Sequence, residues 1–117
     1  MKIIIAGSRT INNMNILIKA INLSRFEITS ADEIVSGGAR GVDTLGENYA
    51  KQHNIKLTVF KPDWNKYGIK GGVIRNSQMS KYADCAIVIH CGSNGSIDMI
   101  NKMKKLNKPF FEYKIEN

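Results

Sequence analysis

The sequence has few of the residues that build disulfide scaffolds, zinc sites or membrane spans. Its 117 residues include two cysteines, two histidines, two prolines and one tryptophan. Cys85 and Cys91 lack the spacing of a disulfide framework or a metal site, so we predict reduced thiols, no bound metal and a cytoplasmic location. No apolar run is long enough to cross a membrane, and the run after Lys2 meets a polar turn too soon for a signal peptide.

Length and composition predict one domain, residues 1–117, with an ordinary globular core. Hydrophobic residues make up 43% of the chain and charged residues 23%. The net charge of +7 makes anionic partners plausible. Part of that excess is a cluster near the C-terminus, formed by Lys102, Lys104, Lys105 and Lys108. Such a cluster is either a solvated helix end, which we favour, or a nucleic-acid footprint.

Strand and helix patterns alternate along the whole chain. Continuous or alternating apolar runs predict strands at 3–6, 33–36, 56–60, 84–90 and 110–115. Apolar residues at helical spacing predict helices at about 13–24, 42–54, 72–82 and 97–106. The last helix is expected to bury Ile97, Ile100, Met103 and Leu106. The segment 61–72 contains Pro62 and three glycines, so we predict a loop there.

This alternation predicts an α/β fold of the Rossmann-like, three-layer kind. Right-handed crossovers would give a five-stranded parallel sheet with helices on both faces. We prefer the strand order 3-2-1-4-5 to the order 2-1-3-4-5. Its reversal point lies between the first and fourth strands, where ligands bind outside the carboxyl ends. Every glycine except Gly46 lies in or beside the four loops at that edge, which favours a ligand site there.

The strand at 33–36 stops at Gly37 and Gly38, and a helix begins just after Gly41. A helix start that follows a glycine turn exposes unpaired N–H groups and a positive dipole end, which suit a phosphate. Arg40 can add a positive charge and bidentate hydrogen bonds to a phosphate or carboxylate. By itself this motif is more often an ordinary tight turn in which Arg40 is merely solvated.

Arginines strengthen the phosphate interpretation. Arg9, Arg40 and Arg75 all lie just beyond strand ends or in the first turn of a helix, so together they predict an anion site. We expect one phosphate to meet Arg40, Arg75 and the turn at 92–96. Removing either of these two arginines should then weaken nucleotide binding and leave the melting midpoint of the ligand-free protein little changed.

Other side chains have two open interpretations. Asp43 either complements the start of its helix or contacts a ribose. Ser96 is predicted to cap the fourth helix, and its backbone N–H to face a phosphate. Trp64 and Tyr67 form either a lid over a base or an anchor that holds their loop on the core.

Several motifs resemble known families. Residues 3–9 and 35–43 resemble the core of the bacterial DNA-processing protein A family. The segments 75–79, 82–84 and 92–96 resemble the lonely-guy phosphoribohydrolases. Both families belong to the SLOG superfamily. The run from Pro62 to Asn76 is typical of its YspA/YpsA-related branch, which the chain resembles over nearly its whole length.

The resemblance implies that a nucleotide or nucleotide-derived ligand binds at the carboxyl edge of the sheet. We expect no other cofactor, no membrane association and assembly into a homo-oligomer. The motifs and the resemblance together indicate as ligand-binding residues Gly7, Ser8, Arg9, Gly37, Gly38, Ala39, Arg40, Gly41, Asp43, Arg75, Asn76, Gly92, Ser93, Gly95 and Ser96.

The resemblance leaves catalysis open. Arg75 matches the arginine of the lonely-guy enzymes, but Met99 stands where they have a glutamate, and Asp98 is one residue away. One alternative function is hydrolysis of a nucleotide N-glycosidic bond, with Arg75 on the phosphate and Asp98, Asp43 or Glu47 as the acid. Another is a module that binds single-stranded DNA, for which we expect only weak, non-specific affinity.

Overall fold

The structure, a computed structural model, describes residues 1–116. Its sheet has five parallel strands: β1 (Lys2–Gly7), β2 (Glu33–Ser36), β3 (Lys56–Val59), β4 (Cys85–His90) and β5 (Phe110–Lys114). The helices are α1 (Met14–Ser24), α2 (Val42–Gln52), α3 (Trp64–Tyr67), α4 (Gly71–Tyr82) and α5 (Asn94–Lys105). The strands lie in the order β3-β2-β1-β4-β5, so the predicted order 3-2-1-4-5 is confirmed.

The three layers follow from alternation along β1. Ile3 and Ile5 pack with α1 and α2 on one face, and Ile4 and Ala6 pack with α4 and α5 on the other. Because β1 and β4 are covered on both faces, each is the continuous apolar run that the sequence shows. This confirms the α/β Rossmann-like class. No helix within residues 1–116 is long and apolar enough to cross a membrane.

The predicted irregular loop at 61–72 is wrong. Asp63 caps a short helix there, because its Oδ1 accepts a hydrogen bond from the Lys66 N–H at 3.0 Å. A 3₁₀ turn at Gly68–Lys70 then leads directly into α4. Pro62 precedes the cap and leaves the helix undisturbed. The cap at Asp63 was the signal in the sequence that this region is helical.

The predicted start of the last helix, and part of its buried face, are also wrong. α5 begins at Asn94, three residues earlier than expected. Ile97 and Leu106 remain 42% and 40% exposed, whereas Met99 is buried beside Ile100 and Met103. Ser96 therefore lies within α5 and not before it, and both Ser96 and Met99 are on its buried side. The other predicted boundaries agree within one or two residues.

The lysines near the C-terminus have local roles. Lys108 Nζ donates hydrogen bonds to the carbonyl oxygens of Ser80, Lys81 and Ala83, at 2.8, 3.0 and 2.7 Å. It therefore caps the C-terminal end of α4, where a cation is favourable. Lys102 pairs with Asp98 at 2.6 Å. The cluster belongs to the last turn of α5 and the residues after it, far from the end of α5 that faces the carboxyl edge of the sheet.

Candidate functional site

Two adjoining cavities open at the carboxyl edge, and the first of them lies where the strand order reverses between β1 and β4. The first, which we call the inner cavity, has a volume of about 180 Å³. Its walls are Ala6, Gly7, Arg9, Gly37, Ala39, Asp43, Arg75, Asn76, Met79, Ser93, Gly95, Ser96 and Met99. The motifs after β1, β2 and β4 and the start of α4 therefore meet in one place, as the sequence predicts.

The second, which we call the outer cavity, has a volume of about 440 Å³. Its walls are Arg9, Gly37, Gly38, Ala39, Arg40, Lys61, Pro62, Trp64 and Arg75. Arg9 and Arg75 line both cavities, but Arg40 lines only the outer one. The expected arrangement of Arg40, Arg75 and the 92–96 turn around one phosphate is not what the cavities show, because Arg9 takes the place of Arg40 in the inner cavity.

Arg75 joins three loops of the site. One of its guanidinium nitrogens donates to the Gly37 carbonyl oxygen after β2, and its Nε donates to Asn76 Oδ1 at 3.0 Å. Asn76 Nδ2 in turn donates to the Gly95 carbonyl oxygen at 3.1 Å. Burial lowers the pKa of the Arg75 guanidinium, and the nearby Asp43 carboxylate opposes that effect. Arg75 therefore has a structural contact as well as a place in both cavities.

The first turn of α5 has no side-chain cap. Ser93 is the N-cap residue, but its hydroxyl is hydrogen-bonded to Ser96 Oγ at 2.6 Å. The prediction that Ser96 caps this helix is therefore wrong, because its hydroxyl bonds the Ser93 hydroxyl and not a backbone N–H. The first N–H groups of a helix have no partner within the helix, and here two of them belong to Gly95 and Ser96, which line the inner cavity. Apart from its neighbours in the helix, a Cβ added to Gly95 would meet no atom within 4 Å, so the space beside this residue is open.

Asp43 is the most deeply buried carboxylate of the site, with 4% of its surface exposed. Its Oδ2 accepts a hydrogen bond from the Ala39 N–H at 3.2 Å, and it lines the inner cavity. Burial is the largest influence and raises the pKa of Asp43, although the Ala39 N–H and Arg75 both act to lower it. Glu47, one turn further along α2, raises it slightly more. The cavity thus holds a carboxyl group whose charge is costly.

Asp43→Asn should therefore raise the melting midpoint of the ligand-free protein at pH 7–8. The folded protein holds the Asp43 proton more tightly than the unfolded chain does. The protonated Asp43 therefore contributes to the stability of the folded protein. This contribution is complete below the unfolded pKa of about 3.9 and is lost as pH rises through the folded pKa. The gain from asparagine should therefore vanish as the pH approaches 4. Thermal melts of both proteins between pH 4 and 8 measure it.

Asp63→Asn is the matched control, because asparagine caps a helix as well as aspartate does and this side chain is exposed. Its midpoint should follow that of the parent protein at every pH. A lower midpoint for Asp43→Asn at neutral pH would mean that the contacts with Arg75 and the Ala39 N–H outweigh the cost of burial.

Some predicted ligand-binding residues instead hold the loops together. Ser8, Gly41 and Gly92 line neither cavity. Ser8 Oγ accepts a hydrogen bond from the Cys91 N–H at 3.1 Å and donates to Ser93 Oγ at 3.2 Å. Gly41, with φ +73°, lies against the Ser8 backbone, where any Cβ would overlap the carbonyl oxygen. These contacts position the β1, β2 and β4 loops relative to one another.

The aromatic pair separates in the structure. Trp64 lines the outer cavity, whereas Tyr67 lies in a smaller cleft beneath α3 with Lys66 Nζ 5.1 Å from its ring centre. Of the two interpretations of the pair, a place at the ligand site fits Trp64 alone.

The candidate acids are placed unequally. Asp98 lies outside both cavities and is held by Lys102 at 2.6 Å and by Asn76 Nδ2 at 3.0 Å. Glu47 accepts a hydrogen bond from Ser36 Oγ at 2.7 Å, away from the cavity walls. Met99 lines the inner cavity at the position where the lonely-guy enzymes have their glutamate. Of the described residues that line the inner and outer cavities, Asp43 is the only one with a carboxylate.

Lys61, Met79 and Met99 are wall residues that the sequence-based site lacks. Lys61 had a usable signal, since it follows β3 at the same edge as the other loops. Met99 also had one, since the resemblance matches it to the glutamate of the lonely-guy enzymes. Met79 had none, because a buried methionine on a helix is indistinguishable from ordinary core.

The fold and these cavities define a Rossmann-like α/β protein with a cleft at the topological switch point. The chain belongs to the YspA, cpYpsA-related SLOG family, whose family model matches residues 1–67. It is also 30% identical over 87 residues to the Gene 61 protein of Mycobacterium phage D29, covering 68% of this chain and 70% of that protein. No solved structure matches the chain significantly.

Proposed function

We propose that this protein binds a nucleotide or nucleotide-derived ligand across the two cavities, with a phosphate in the inner one. One observation carries this proposal. The first turn of α5, which has no side-chain cap, lines the inner cavity together with Arg9 and Arg75. Backbone N–H groups and guanidinium groups are the donors that phosphate prefers. Membership of the SLOG family is consistent with a nucleotide-related function.

The charge distribution supports a small ligand over a strand of nucleic acid. A strand needs a basic path that continues beyond the cavity. The C-terminal lysines lie at the other end of α5, where Lys108 caps α4 and Lys102 is paired with Asp98. Glycosidic hydrolysis in the manner of the lonely-guy enzymes is disfavoured, because Met99 stands at the position of their glutamate and cannot stabilise positive charge in a transition state.

Gly95→Ala tests the phosphate site sterically. The added Cβ meets no protein atom, so the variant should fold with an unchanged or slightly higher melting midpoint, since alanine favours the helix. It should nevertheless weaken nucleotide binding about tenfold, roughly 1.4 kcal/mol, by keeping a phosphate away from the backbone. Calorimetric titration with adenine nucleotides measures the affinity.

Asn94→Ala is the matched control, because Asn94 is exposed and lines neither cavity. It should bind as the parent protein does. Arg9→Ala should weaken binding like Gly95→Ala, because Arg9 lines the inner cavity. Its loss should leave the fold unchanged, since the side chain is exposed and makes no hydrogen bond or ion pair within residues 1–116. If nucleotides bind the parent protein and both the Gly95 and Arg9 variants equally well, the phosphate lies elsewhere.

A further inference from the structure

The outer cavity has more positive charge than one phosphate requires. Arg9, Arg40, Lys61 and Arg75 line it, and no carboxylate in the described chain does. A phosphate in the inner cavity already has Arg9, Arg75 and the α5 turn as partners. Arg40 and Lys61 are both exposed and form no hydrogen bond or ion pair with residues 1–116. These two cations therefore face the cavity without a partner.

Trp64 lines the same cavity as these cations, and its indole packs closely against Gly71 at the start of α4. A Cβ at Gly71 would lie 2.9 Å from Trp64 Cε3 and 3.3 Å from the Asp63 carbonyl oxygen. The indole can therefore rest against the start of α4 only because residue 71 has no side chain. A Cβ at Gly72 would lie 3.5 Å from Trp64 Cη2, an ordinary contact. The indole is held in place from one side, yet 49% of the residue remains exposed.

We propose that the ligand is a nucleotide with two or more phosphates, whose base stacks on Trp64 while Arg40 and Lys61 bind the phosphates that the inner cavity does not hold. This inference rests on the proposed function and adds the class of nucleotide. A base stacks well on an exposed aromatic ring that is already fixed. A single phosphate group brings only about −1.5 to −2 charges, whereas a di- or triphosphate matches the cations of the outer cavity more closely.

The sizes of the cavities agree with this division. Pockets for small molecules usually measure roughly 300–1,000 Å³, so the inner cavity of about 180 Å³ is too small for a whole nucleotide. A ligand whose phosphate end enters the inner cavity must extend past the residues that line both cavities, which are Arg9, Gly37, Ala39 and Arg75. It then reaches the outer cavity, where Trp64 is.

Trp64 provides its own probe because it is the single tryptophan of the chain. The experiment titrates the protein with adenosine mono-, di- and triphosphate, with tripolyphosphate and with adenosine, following tryptophan fluorescence and calorimetric heat together. We expect affinity to rise about tenfold or more from the mono- to the diphosphate. The fluorescence should change with the di- and triphosphate but not with tripolyphosphate, which has no base to stack.

Gly71→Ala and Gly72→Ala form a matched pair of variants. Gly71→Ala displaces the indole and should weaken nucleotide binding roughly fivefold to a hundredfold without affecting tripolyphosphate. Gly72→Ala should bind like the parent protein. Arg40→Ala should remove most of the preference for the di- and triphosphate over the monophosphate.

Three results would overturn the inference. If all three nucleotides bind with equal affinity and the fluorescence of Trp64 is unchanged, the inference is wrong and the proposed function stands. If a single-stranded oligonucleotide binds more tightly than any nucleotide at physiological salt, the partner is a nucleic acid. If calorimetry detects no binding of any nucleotide, both the inference and the proposed function fail.

Discussion

Gly7→Ala is expected to lower the free energy of unfolding by about 3 kcal/mol and the melting midpoint by on the order of 10 °C. Gly7 is the last residue of β1 and lies beside Ile89 of β4. A Cβ at this position would overlap the Ile89 carbonyl oxygen and lie 2.8 Å from Val42 Cγ2. Since the first obstacle is backbone, a change of rotamer cannot relieve it. The end of β1 must separate from β4, and the inner cavity is lost with it.

Chemical denaturation of the parent protein and the variant measures this effect. Gly95→Ala is the control, because the same substitution at the same edge of the sheet enters open space and should not destabilise the fold. A Gly7 variant within about 0.5 kcal/mol of the parent protein would show that β1 and β4 are further apart at this end than the structure places them.

Arg75→Ala should lower both nucleotide affinity and the stability of the ligand-free protein. The variant loses a charge-assisted hydrogen bond to the Gly37 carbonyl oxygen and another to Asn76 Oδ1. Hydrogen bonds to charged groups contribute about 1.5–3 kcal/mol each, but removing Arg75 also removes the cost of burying its charge. Because the second effect offsets part of the first, we expect a net loss of stability of about 2 kcal/mol. Affinity should fall at least tenfold for every nucleotide, because Arg75 lines both cavities.

Arg40→Ala provides the contrast. Arg40 is exposed and unpaired within the described chain, so its removal should change stability by less than about 0.5 kcal/mol. Melting curves with and without nucleotide separate the two variants. The sequence predicts one behaviour for both arginines, whereas the contact between Arg75 and Gly37 predicts two. Equal, unchanged midpoints for the ligand-free variants would favour the simpler expectation from the sequence.

Asp98 shows that the sequence alone does not decide which candidate acid lies in the cavity. Along the sequence it is the carboxylate nearest the position of the lonely-guy glutamate. The phase of α5 turns it toward Lys102 and Asn76, because Met99 occupies the buried side of the helix. Asp43, in contrast, is a wall residue of the inner cavity. Its helix begins just after Gly41, so Asp43 lies in the first turn at the carboxyl edge of the sheet.

By itself, the sequence determined the layers and the edge at which the cavities open, and it favoured the strand order that the structure has. Apolar runs buried on both faces predict a parallel sheet, and glycines concentrated after four strands mark one edge, because local patterns carry both signals. The tertiary structure decided the rest. It divided the site into two cavities, separated Arg40 from Arg75, made Lys108 a helix cap and placed Trp64 on Gly71. These are contacts between segments distant in the chain, and they depend on helix phase and on the distance between elements, which no local pattern specifies.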